Sequence, residues 1–152
     1  MSRIYRRCSI AAGGVATLGA LLHVAILFGG PDWYALFGAP DALVQMARTG
    51  NARAPISCLV IAAILTLWAL YAFSGAGLIR RLPLLRPVLG LIAAVLILRG
   101  SLFIPLLLWR PGALGAICSC HGVDGFIVAT SILCLVTGVG FGAGALGAGR
   151  AM

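Results

Sequence analysis

Lysine and glutamate are absent from this 152-residue chain, and aspartate occurs only as Asp32, Asp41 and Asp124. Acid–base chemistry that relies on two neighbouring carboxylates is therefore nearly excluded. Charge of either sign is scarce: 9% of residues carry one, against ~25% in an ordinary soluble domain. No glycine-rich phosphate loop follows a strand, and no Ser/His/Asp set is suggested. Histidine is limited to His23 and His121. A haem held by both would pair a helical ligand with a loop ligand, which is an unusual arrangement.

What the chain does have is apolar length. Hydrophobic residues make up 62% of it, so most of its surface must face lipid. Runs at about 9–28, 56–73, 88–109 and 125–145 are each close to the ~20 residues that span a bilayer. The expected fold is all-α: a four-helix transmembrane bundle, residues 1–152 forming a single integral membrane domain. The basic head could also begin a secretory signal. Its apolar run is too long for that, and Gly29-Gly30-Pro31-Asp32-Trp33 offers no clean cleavage site.

The first connection is the longest. Pro40, Asp41 in a first turn, Arg48 in a last turn and Gly50 just beyond are helix start and stop signals. A helix of about ten residues cannot span, so this one should lie at the interface, in the first extracytoplasmic loop. Pro55 suits the first position of the second span, Ser74-Gly75-Ala76-Gly77 ends it, and Asp124 suits the N-cap of the fourth.

All eleven basic residues are arginines, giving a net charge of +8. They fall in short clusters between apolar runs, which indicates orientation and headgroup contact and not a nucleic-acid face. Arg3, Arg6, Arg7, Arg80, Arg81, Arg86 and Arg150 fall on one side; Arg48, Arg53, Arg110 and every aspartate fall on the other. The positive-inside rule puts the first set, and both termini, in the cytoplasm. Trp33, Tyr34 and Trp109 then form an outer aromatic belt. Arginine without lysine, with abundant Ala, Gly and Leu, fits a GC-rich bacterial genome and hence a bacterial inner membrane. Packing should use small residues such as Gly13, Gly14, Ala16, Gly19 and Ala20, and Gly138, Gly140, Gly142 and Gly144. The same stripes offer a contact for a homo-oligomer.

Two groups of residues invite chemistry. Arg99, 11 residues after Val88 and 10 before Trp109, falls near the bilayer midplane, where it costs at least about 2.5–3.5 kcal/mol. It should face the bundle or a wet cavity, meeting Asp41, Asp124 or the Ser101 carbonyl that Pro105 leaves without a donor. His23 is the other strongly polar side chain inside a span. With Trp33, Tyr34 and Asp41, the two outline an outward-opening pocket for a small molecule, lipid or quinone; a purely structural role for each is the alternative. Cys118, Cys120 and His121 form the second group. They can be a disulfide or inert thiols, a redox-active pair, or a soft-metal site. The first group makes this a non-enzymatic binding protein; the second makes it a membrane oxidoreductase or electron-transfer component. No cofactor is specified. Cys8, Cys58 and Cys134 are isolated and should behave as small apolar residues.

Four phrases resemble a known group: HVAILFGGPDWYALFGA from His23 to Ala39, LWALYAFSGAG from Leu67 to Gly77, IRRLPLL from Ile79 to Leu85, and Leu98-Arg99-Gly100. They are similar to a set of small, uncharacterised four-helix bacterial inner-membrane proteins, over roughly residues 20–100. In outline the chain also resembles the DoxX-like membrane proteins, some of them linked to quinone-coupled redox systems. The resemblance implies the topology and assigns no residue a role.

Overall fold

The computed structural model describes residues 2–109 and 125–149, and these are helical almost throughout, with no strand among them. The elements are α1 (Arg3–Leu36), α2 (Asp41–Arg48), α3 (Arg53–Gly75), α4 (Leu85–Trp109) and α5 (Gly125–Gly149). Four of them are long and apolar enough to cross a membrane. The 23 residues of α3 rise about 35 Å at 1.5 Å per residue, enough for a hydrocarbon core of ~30 Å. Only 22–33% of each apolar window is buried within the protein. The rest, including Leu18, Leu21, Phe28, Leu59, Leu91 and Val136, points outward. In water each such side chain would forgo roughly 1.5–3 kcal/mol of burial, so the described surface belongs to an integral membrane protein.

The interior is built the opposite way, from residues with almost no side chain. Ala12, Ala16, Ala69, Ala72 and Ala93 make most of the larger core, with Leu89, Ile92, Leu96 and Phe141. Close backbone approach replaces side-chain volume, as expected where lipid removes the hydrophobic drive between helices. α1 pairs with α3, α4 pairs with α5, and α5 joins the pairs by packing on α1. Alternate glycines of α5 explain how. A methyl at Gly138 would fall 3.2 Å from the Ala93 carbonyl of α4, whereas one at Gly140 would fall 2.9 Å from Ala12 Cβ of α1. Two residues on a helix are about 200° apart, so α5 shows one glycine face to each neighbour. It thereby holds the backbones of α1 and α4 apart: among the described residues no Cα of one comes within 8 Å of a Cα of the other, and they meet only through side chains. Trp68 of α3 meets Phe141 edge to face, with centroids 6.5 Å apart.

Glycine sets the turns as well. Gly38, Gly50 and Gly77 have φ near +70° and close Schellman caps. At Gly50, for example, Asn51 N–H reaches the Met46 carbonyl at 2.9 Å and Gly50 N–H the Ala47 carbonyl at 3.2 Å. The sequence places the stop of α2 at Gly50 correctly. α3 starts two residues before Pro55, which occupies the first turn, where an N–H has no helical acceptor. The larger departure is in α1. The apolar run stops near Phe28, yet the helix continues to Leu36 across a kink at Gly30.

At the arginine-rich end the connection between α3 and α4 is tied down by one hydroxyl. Buried Ser74 Oγ donates to the Arg80 carbonyl at 3.1 Å and accepts from Leu82 N–H at 2.9 Å. Ser9, which donates to the Tyr5 carbonyl at 3.0 Å, fills the space beside Gly75 and Gly144, with Leu89 of α4 next to both glycines. All four long helices meet there.

Candidate functional site

The opposite end is organised around the break in α1. Gly30 has φ 68° and ψ −165°, a region essentially open to glycine alone. Pro31 follows; its ring disfavours helical geometry at Gly30, and its own fixed φ restarts the helix. Gly29 has a different reason to lack a side chain: the Trp33 indole lies where its Cβ would be. Because Pro31 has no N–H, the Leu27 carbonyl receives no helical hydrogen bond from that position.

The restarted turn carries Tyr34 inward. Tyr34 is buried in a second core with Ile26 of α1, Val44 of α2, and Ala54 and Cys58 of α3. Its side chain packs with that of buried Cys58 in this cluster. The ring wedges α1 away from α2, and a cleft of about 190 Å³ remains, lined by Leu27, Gly30, Pro31, Tyr34, Ala47, Gly50, Asn51 and Pro55. Its walls are mainly apolar. Asn51 Oδ1 is committed to Arg53 N–H at 3.0 Å, so its amide N–H₂ is the donor left for a guest. A guest would meet that donor among mainly apolar walls.

Of the five residues expected to share a pocket, Tyr34 lines this cleft. Trp33 is exposed beside it and meets Phe37 edge to face at 5.8 Å. Asp41 is exposed in the first turn of α2, where an acid suits the helix dipole. His23 is half-buried on α1, and its Nδ1 lies 2.8 Å from the Gly19 carbonyl. A carbonyl only accepts, so that geometry puts the proton on Nδ1 and leaves Nε2 as an acceptor. Arg99 differs most from expectation. It is exposed on α4, whose backbone stays more than 8 Å (Cα to Cα) from that of α1 among the described residues, and it makes an interaction of its own. The structure thus does not bring Arg99 and His23 together.

Cys118, Cys120, His121 and the Asp124 cap lie outside the described residues. Among the described residues no three His, Cys, Asp or Glu side chains are grouped as a metal site. Cys8, Cys58 and Cys134 are free thiols, and Cys58 is buried in the second apolar cluster. Sequence reasoning missed the Tyr34–Cys58 contact and the cleft walls at Leu27, Ala47 and Asn51. The available signals were the consecutive helix breakers at 29–31 and the turn at 50–51. No protein-family model, curated protein or solved structure matches the chain.

Proposed function

We propose that this multi-pass membrane protein sits in a bacterial inner membrane with both termini cytoplasmic, and that it binds a small apolar or amphipathic molecule in the cleft at its outer surface without chemically altering it. The observation that carries this reading is the cleft beside the Gly30 break. A broken helix that exposes backbone groups at the membrane boundary is tolerated where it lines a cavity, and cavities of this kind are where membrane proteins hold ligands. Size limits the guest. The cleft's 190 Å³ is below the ~300–1,000 Å³ of pockets that engulf drug-sized ligands. It is close to the ~150 Å³ that takes up benzene in an engineered cavity. One ring, a short chain or the end segment of a lipid or quinone fits that volume, with one polar atom facing Asn51.

The resemblance of four phrases to small inner-membrane proteins, and of the architecture in outline to DoxX-like proteins, supports the topology of this reading. The test uses Ala47, which lines the cleft from α2. Protein extracted in native nanodiscs is analysed by mass spectrometry for co-purifying small molecules, beside an Ala47→Phe variant whose ring fills the space. The reading requires one molecule enriched in the native protein and reduced at least about tenfold in the variant, equivalent to ~1.4 kcal/mol. Equal recovery from both proteins, or none from either, would sink it.

A further inference from the structure

The arginine-rich end has a charge imbalance that the described residues do not resolve. Arg3, Arg6 and Arg7 at the head of α1, and Arg80, Arg81 and Arg86 around the α3–α4 connection, are all exposed. Ser9 packs beside Gly75, so these two groups share one end of the bundle. The carboxylates of the described residues, Asp32 and Asp41, lie at the other end. None of the six guanidiniums forms an ion pair with a described residue. No described residue supplies the compensating anion.

The neighbours of these arginines indicate which anion. Ile4 is 66% exposed and Leu84 73% exposed, and Leu78 and Ile79 are exposed as well, all interleaved with the cations. Leu84 also has φ 53°, a left-handed conformation that clashes sterically for a residue with a Cβ. The chain holds it there: Val88 N–H donates to the Leu84 carbonyl at 3.0 Å, and Ser74 pins the preceding residues. Strain that presents a leucine to water would accomplish nothing. Strain that presents it to acyl chains, with guanidiniums at phosphate level, builds an amphipathic surface.

We propose that this end is a docking site for anionic phospholipid. Arg80, Arg81 and Arg86 bridge headgroup phosphates, while Leu84 and Leu78 enter the acyl boundary. The site is separate from the cleft at the other end and does not rest on its function. A nucleic acid or a free anion would satisfy the arginines but leave the leucines in water, so the lipid fits more of the surface. Arginine also suits phosphate geometrically, through its two-pronged donors.

The test is lipid titration of the full chain in detergent micelles, read by native mass spectrometry. Phosphatidylglycerol and phosphatidylcholine of identical acyl chains are compared, with inorganic phosphate as competitor. Phosphatidylglycerol should bind at least about tenfold tighter, and the preference should shrink as salt is raised. Replacing Arg80, Arg81 and Arg86 with glutamine should weaken phosphatidylglycerol binding by roughly a hundredfold, about fivefold per arginine, and abolish the preference. Lysines at the same positions should retain most of the preference. If the triple glutamine variant does not fold, Arg81→Gln alone should still lose about fivefold. Equal affinity for the two lipids, or an unchanged preference in the glutamine variants, would overturn the proposal. Displacement of phosphatidylglycerol by millimolar inorganic phosphate would reassign the site to a free anion.

Discussion

The two ends of this bundle pack by different rules. At the arginine-rich end four helices converge on Ser9, Gly75, Leu89 and Gly144, and alanines and glycines with buried Leu89 and Phe141 fill the space between them. At the other end three elements surround one large side chain, Tyr34, and a cleft stays open beside it. Small residues let helices close because there is no volume to accommodate. A tyrosine next to a Gly–Pro break does the reverse: the ring holds the elements apart, and the broken helix cannot move in to fill the gap. The closed end therefore resists substitution by any larger residue, whereas the open end should accept added volume in the cleft and resist change only at its hinge.

The largest expected effect is at the closed end. Gly140→Leu would drive a side chain into Ala12 Cβ and the Cys8 carbonyl, which already lie 2.9 and 3.2 Å from where a Cβ would sit. Overpacking of this kind costs about 1–3 kcal/mol or more. With backbone as one of the two obstacles, the upper part of that range is expected in thermal unfolding in detergent. Next comes the hinge. Gly30→Ala meets no neighbour within 4 Å, yet φ 68° with ψ −165° excludes an alanine, at a cost of about 1–3 kcal/mol. The variant should straighten α1 and lose whatever the cleft holds, even if it stays folded. Ser74→Ala should cost roughly 1–2 kcal/mol by leaving the Arg80 carbonyl and Leu82 N–H short of a partner. Faster amide exchange at Leu82 would report it. The smallest effect belongs to Gly14→Ala, where a Cβ has nothing within 4 Å. Helix propensity favours alanine over glycine by up to about 1 kcal/mol, so this change should be neutral or stabilising. A Gly14→Ala loss as large as that of Gly140→Leu would break the comparison between close-packed and open glycines.

The membrane fold was legible in the sequence because its signals are long-range averages. Four apolar runs, the clustering of arginine and the glycines of the last span survive an error of a few residues at any boundary. The stop of α2 at Gly50 and the end of α3 at Gly77 were readable because a left-handed cap needs glycine. The site was much less legible. Gly29-Gly30-Pro31 reads as the end of a span, since two breakers usually end a helix; here Trp33 over Gly29 and the buried Tyr34 carry it six residues further. Placing Arg99 and His23 in one pocket rested on the cost of burying charge, which says that such groups need partners and does not say which helices are neighbours. That depended on α5, whose alternate glycines separate α1 from α4. Periodicity shows that glycine is frequent there, but only the fold shows which partner each glycine faces.

Hydrogen exchange in nanodiscs tests the division between a closed and an open end most directly, by comparing two connections that both follow a Schellman cap. Residues 76–84 are pinned by Ser74, whereas residues 37–52 border the cleft. The account predicts slower exchange in 76–84, and slowing confined to 37–52 when Ala47→Phe fills the cleft. Equal exchange in the two connections, with Ala47→Phe changing both or neither, would contradict it.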